Sequence, residues 1–272
     1  MSALPSKKTQ GLPGYPRFTQ YLPTESIRDG KYELRFAQSG EELDAIKRLR
    51  FEVFNLELNE GLDASYVSGK DEDLFDQVCH HMMISKDGVG VVGTYRFQTS
   101  EMASEGGLGF YSAEEFDLST LPADVIAQSV ELGRACISKD HRSLKVLYLL
   151  WKGIGLYLMH NNRRYLFGCT SLTSQNPKEG HGVYHLLRES GHVHESIEVA
   201  PQSPFHCSLE TDEYFPDTKP RVPRLMRAYL SLGAKVCSQP ALDRMFKTID
   251  YFTLFDTARL SDQAQSYFMP SR

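Results

Sequence analysis

The run from Val130 to Ile137 reads as a buried strand that nevertheless carries a glutamate and an arginine three residues apart, Glu131 and Arg134. Shortly after it, Leu144 to His160 is apolar almost all round, the pattern of a helix covered on every side. Tyr165 to Ser171 then supplies another apolar strand. A strand, a buried helix and a second strand in that order need a sheet to lie on, which restricts the chain to a layered α/β architecture. Burying Glu131 costs desolvation free energy unless the carboxylate is paired or accepts a proton. Two roles are therefore open to it, a structural ion pair with Arg134 or a general base.

The flanking segments fit the same plan. Tyr32 to Phe36 reads as a short strand, and Ser39-Gly40-Glu41-Glu42 as a capping box. A helix with Leu43, Ile46, Leu49, Val53 and Phe54 on one stripe follows. His81–Ser85 and Val89–Gln98 read as a hairpin turned at Lys86-Asp87-Gly88. Further on come helices near Val183–Glu189 and Val222–Leu232, and strands near His194–Val199, Val236-Cys237 and Tyr251–Phe255. The expected arrangement is one domain over residues 31–260, a central mixed sheet flanked by helices, with a flexible arm at 1–30 and a tail at 261–272.

Composition narrows the function classes. A net charge of -5 offers no broad cationic field for nucleic acid. Five cysteines with no CxxC pair predict reduced thiols and a cytoplasmic protein. Met1 to Gly30 is polar and punctuated by prolines, without the apolar core of a signal peptide, and Lys152 interrupts the most apolar run. Membrane contact is expected only as peripheral association. His181, His185, His192 and His194 invite a metal reading, but no Cys or carboxylate completes a ligand spacing, so no metal is predicted.

The acidic stretch Asp71-Glu72-Asp73-Leu74-Phe75-Asp76 is ordinarily a solvated loop. Arg50, Arg96 and Arg134, however, lie on a helix and two strands that read as buried and need acidic partners, for which Asp73 and Asp76 are the obvious supply. The set Arg50-x-x-x-Phe54, Asp71-x-Asp73-x-Phe75-Asp76, Arg96 and Glu131-x-Gly133-Arg134 resembles the signature of acyl-homoserine lactone synthases. A closer resemblance runs over roughly residues 32–256, through Phe110 to Leu118, Glu131 to Arg134, Leu149 to Gly153, Tyr165 to Cys169, Leu230 to Ala234 and Pro240 to Asp243. It is to the ornithine N-acyltransferases that make lyso-ornithine lipid and their hemolysin-named relatives.

That resemblance implies a GNAT-like fold, an acyl carrier protein (ACP) donor with its acyl-4'-phosphopantetheine arm, an amino-acid acceptor, and no tightly bound cofactor. Acyl-CoA is the alternative donor. The implied roles are Glu131 as base for the acceptor amine, and Arg96 and Arg134 as holders of the acidic loop or, less favoured, binders of the acceptor carboxylate. In that less favoured case Asp73 and Asp76 would correspondingly hold an acceptor's cationic group. Strand amides at Cys136 and Ile137 would stabilise the oxyanion. The glycine-free loop from Ser138 to Lys145, with Lys139, Arg142, Ser143 and Lys145, would meet the carrier protein. The rival readings are an acyl-homoserine lactone synthase consuming S-adenosylmethionine and a non-catalytic protein that binds acyl chains or membranes. The stripe Leu225, Met226, Tyr229 and Leu230 reads as core packing, with an acyl-chain role as the alternative.

Overall fold

The computed structural model describes residues 14–209 and 220–268. Its first half runs β1 (Ile27–Asp29), β2 (Tyr32–Phe36), α1 (Gly40–Phe51), α2 (Ser65–Ser68), β3 (His80–Lys86), β4 (Gly90–Thr99), α3 (Ser100–Gly106) and α4 (Ala123–Ala127). The second half runs β5 (Ser129–Ile137), α5 (Leu144–His160), β6 (Tyr165–Leu172), α6 (Pro177–Glu189), α7 (Arg224–Ser231), β7 (Lys235–Val236), β8 (Ala241–Asp243), β9 (Thr248–Asp256) and α8 (Asp262–Phe268). The strands form one mixed sheet in the order β1-β2-β3-β4-β5-β6-β9-β7, with β8 also pairing β9. Among the described strands only β5 and β6 pair in parallel, joined by α5 as the crossover.

Alternation sorts the side chains to two faces. Leu34, Met82, Ile84, Tyr95, Phe97 and Leu166 pack with Val146, Leu150, Ile154 and Tyr157 of α5. The other face receives α1 and the turn that follows it, where Leu49, Val53 and Phe54 pack with Cys136 and Phe246. Ser39 caps α1 by accepting the Glu42 N–H, and Ser143 caps α5 by accepting the Val146 N–H. No described helix is long and apolar enough to cross a membrane.

Three expectations are revised. Residues predicted to be a free arm pack on the body: Leu22 is in the core, β1 pairs with β2, and the Tyr15 hydroxyl meets His81 Nδ1 at 3.0 Å. Beyond residue 260, Phe268 of α8 stacks on Trp151. Residues 1–13 and 269–272 of the predicted arm and tail lie outside the described residues. The strand expected at His194–Val199 is reduced to bridges from Val193 to Val236 and from Val199 to Ser238. The His194 ring Nδ1 accepts the Ser196 and Ile197 N–H groups there, a local turn that competes with extended pairing. Finally, the first helix continues into a π-helical turn, Glu52–Glu57, which carries Phe54.

Candidate active site

The site begins where two parallel strands part. β5 and β6 pair from Ser129↔Tyr165 to Glu131↔Phe167 and then diverge, although each keeps its other neighbour as far as Ile137↔Gly93 and Leu172↔Ile249. Gly168 lies at the fork, where an added Cβ would stand 2.2 Å from the Leu132 carbonyl oxygen, so no larger residue fits. On the other edge of β5, Thr94 faces Cys136 and Arg96 faces Gly133, leaving Arg134 and Ala135 together opposite Tyr95. This is a β-bulge, and Arg134 adopts φ 50° within it. Strict alternation from Val130 and Leu132 would send Arg134 to the apolar α5 face. The bulge turns it instead to the α1 face, beside Arg96.

There the three arginines meet three aspartates. Arg50 donates from Nε to Asp71 (2.6 Å) and from both terminal nitrogens to Asp76 (2.7 and 3.1 Å). Arg96 Nη1 reaches Asp73 at 2.6 Å and Asp76 at 3.2 Å. Arg134 pairs with Asp73 at 3.0 Å and Asp71 at 3.4 Å, its guanidinium lying between the rings of Tyr111 and Phe246. Arg50, Asp71 and Asp76 are fully buried. Burial alone would raise the Asp76 carboxyl, but Arg50, the His81 hydrogen bond and Arg96 outweigh it and hold it well below the usual range. Burial depresses His81 despite its contact with Asp76, so it adds no positive charge near neutral pH. Three positive and three negative charges balance, so that Asp73 and Asp76 are engaged by Arg50, Arg96 and Arg134.

Glu131 occupies a different place from the one its role as a base requires. The Tyr111 N–H donates to its Oε2 at 2.8 Å and the Ser112 N–H to its Oε1 at 2.7 Å. Burial raises this carboxyl, and the Ser112 and Tyr111 hydrogen bonds oppose the rise. Both oxygens thus anchor the 110–116 segment, which carries Tyr111 and Glu115.

The fork opens into a cavity of about 310 Å³ whose wall includes neither Glu131 nor Cys136 nor Ile137. Gly133, Arg134 and Ala135 of the bulge line its middle, together with Phe54, Tyr111, Phe246, Gly168 and Cys169. Its apolar wall is made by Tyr95, Leu132, Leu166, Phe255 and Tyr229, which pack in the α5 cluster, and by Leu225 and Met226 of α7. The Tyr95 and Tyr229 hydroxyls touch. Toward Ser171, Thr173 and Thr248 the lining turns acidic, with Glu60, Glu115, Asp243 and Asp250. Burial pushes Glu60 up to about 6, against a hydrogen bond from Thr173. It pushes Asp250 up to about 6 as well, and Glu115, beside Asp250 and Asp243, well above the carboxylate range.

The predicted donor loop is partly self-occupied. Arg142 makes a bidentate pair with Glu57 and also donates to the Ile137 carbonyl, while Lys145 pairs with Asp29. Ser143 serves as a helix cap. Lys139 is exposed and, among the described residues, forms no ion pair. The histidines are used locally: His181 meets the Cys207 carbonyl, and His185 pairs with Glu189.

A family model described as an acetyltransferase (GNAT) domain matches residues 49–152. The chain is 30% identical over 264 residues to L-ornithine N(alpha)-acyltransferase of Brucella abortus (strain 2308), covering 89% of this chain and 90% of that protein. It is 29% identical over 256 residues to the protein of the same name from Agrobacterium fabrum, covering 89% and 86% respectively. The crystal structure of the AHL synthase LasI aligns with a TM-score of 0.49 at 14% identity, over 91% of this chain and 98% of that one. On its 30% identity to the Brucella abortus protein over 89% of the chain, this protein belongs to the GNAT-fold family of the L-ornithine N(alpha)-acyltransferases and is an acyltransferase.

Proposed function

We propose that this protein moves a long fatty acyl chain, with or without a 3-hydroxyl, from acyl-ACP to the α-amine of an amino acid, with L-ornithine as the leading acceptor. The observation that carries this reading is the two-sided cavity, apolar toward α5 and α7 and acidic toward β8 and β9. An acyl chain suits the first side and a cationic amino acid the second, with the bulge between them where the thioester would meet the amine. The names of the relatives support the acceptor.

The chemistry assigned to the chain's own groups is limited, because a thioester is already activated. The acceptor ammonium gives one proton to a carboxylate facing the cavity, and Glu60 suits this task because burial tunes it toward neutral pH. The free amine attacks the thioester carbonyl, forming the C–N bond. Backbone N–H groups of β5 past the fork, in the Gly133–Ala135 stretch rather than at Cys136 and Ile137, receive the oxyanion. The C–S bond then breaks, and the departing thiolate takes the second proton from nitrogen. Glu131 acts behind the wall as a positioning residue for Tyr111 and Glu115. Of the predicted donor loop, exposed Lys139 is the cation left to meet an acidic carrier protein, since Arg142 and Lys145 are paired with Glu57 and Asp29.

The test is thiol release from 3-hydroxyacyl-ACP and from the matched acyl-CoA, each with and without L-ornithine. Ornithine-dependent release, faster from the carrier protein, is expected. A folded protein that releases no thiol in response to any amino acid, with either donor, would sink the reading.

A further inference from the structure

The charges of the two buried ionic clusters differ in one respect. The arginine–aspartate cluster on the α1 face is balanced three against three. The cavity cluster is not. Glu115, Asp243 and Asp250 bring carboxylate oxygens within 4.8 Å of one another, all three residues are buried, and among the described residues none forms an ion pair. Asp243 Oδ1 accepts the Met245 and Phe246 N–H groups (2.7 and 2.8 Å), and Asp250 Oδ2 accepts the Thr248 hydroxyl (2.8 Å). Glu115 Oε2 and Asp250 Oδ1, by contrast, make no hydrogen bond of normal geometry among the described residues, with only the Cys169 thiol and the Ser171 hydroxyl acting weakly on the two carboxyls, although the residues are only 2% and 3% exposed and both line the cavity. The cation acting on them is Arg134, which is already held by Asp71 and Asp73.

Buried acceptors left open in an acidic recess call for a donor that arrives with the ligand. We infer that Glu115, Asp243 and Asp250 form the subsite for the acceptor's side-chain ammonium, and that this contact directs acylation to the α-amine. A primary ammonium carries three N–H donors and matches a recess of three carboxyl groups, supplying the cation whose absence lets burial and mutual repulsion hold a proton on Glu115. Held there, the side-chain nitrogen stays protonated and has no lone pair for attack, whereas the α-amine is free to lose its proton and react. The inference rests on the amino-acid acylation reading and specifies the acceptor class for it: amino acids with a cationic amine at the end of a short side chain.

The experiment is a competition between L-ornithine and L-norvaline, its analogue lacking the side-chain amine, with acyl-ACP as donor. Products are quantified by mass spectrometry for the wild type, Asp250→Asn and Glu115→Gln. The product ratio gives the ratio of kcat/KM values and is independent of how much protein is folded and active. The wild type should favour ornithine, with the acyl group on the α-nitrogen, and each variant should lose at least about thirtyfold of that preference, as expected when a buried charge contact loses one partner. Variants whose ratio stays within about threefold of wild type would overturn the subsite while leaving the acyltransferase reading intact. Abolition of all turnover by a chelator, restored by Mg²⁺ or Mn²⁺ in the wild type but not in Asp250→Asn, would assign the three carboxylates to a metal and overturn it too. Absence of any amino-acid product from the wild type would instead remove the reading on which the inference stands.

Discussion

Arg50 and Asp76 form a two-pronged ion pair at 2.7 and 3.1 Å with neither residue exposed, at the centre of a charge-balanced network between α1 and the sheet. The network fixes the 71–77 segment on the same face as the bulge. Arg50→Met removes the cation shared by Asp71 and Asp76 and leaves two buried carboxylates opposed. It should cost about 3–5 kcal/mol in urea-monitored unfolding. A loss below 1 kcal/mol would mean that the network holds nothing together.

Glu131→Gln separates holding from proton transfer. The amide keeps one acceptor but turns an NH₂ toward a backbone N–H that in the wild type donates to a carboxylate oxygen. The variant should lose about 1–3 kcal/mol of stability, with the 110–116 segment gaining hydrogen exchange. Full stability and unchanged exchange combined with abolished turnover would return the base to Glu131.

Gly168→Ala tests the fork. Its Cβ would collide with the backbone oxygen of Leu132, which cannot swing aside as a side chain would. The strands must part earlier, and we expect a drop in Tm of several degrees with loss of acyl transfer. Ordinary Tm and activity would show that the closeness of β5 and β6 there is unimportant.

Glu60→Gln should trade activity for stability, and pH reveals it. The folded-state carboxyl titrates at about 6 against 4.5 when unfolded, so between those values the folded state holds more protons. Charged burial of Glu60 therefore costs stability above pH 6, by up to about 2 kcal/mol, and the cost fades as pH falls to 4.5. The variant should be the more stable protein at pH 8, with that advantage gone near pH 4.5 in guanidinium unfolding. Its kcat/KM should be low and lack the wild type's acid limb near pH 6. An unaltered acid limb would clear Glu60 of proton transfer.

Much of the frame was legible because periodicity reports burial. The hairpin of β3 and β4, the buried α5 and the strand β6 all announce themselves through spacing. Arg50, Arg96 and Arg134 stood out as charges in apolar runs, and the aspartates that satisfy them lie together in one acidic stretch. The bulge at Arg134 was hidden, since one extra residue in a strand leaves no mark on composition yet decides which face a side chain takes. The cavity acids were missed for a related reason. Asp250 is flanked by Ile249 and Tyr251 and gives the same signal as Glu131, an acid in an apolar strand, while Glu115 and Asp243 come from distant segments that only the fold brings together. Glu131 was read for its charge alone, and nothing in the sequence shows that two backbone amides occupy it.

The most direct test of the account is the identity of the product formed when the full-length protein is given 3-hydroxyacyl-ACP and an equimolar mixture of ornithine, lysine, glycine, glutamine and S-adenosylmethionine. The account predicts one dominant N-acylated product, Nα-acyl-ornithine by tandem mass spectrometry. An acyl-homoserine lactone with methylthioadenosine, an acylated glycine or glutamine in place of ornithine, or free fatty acid alone would contradict it.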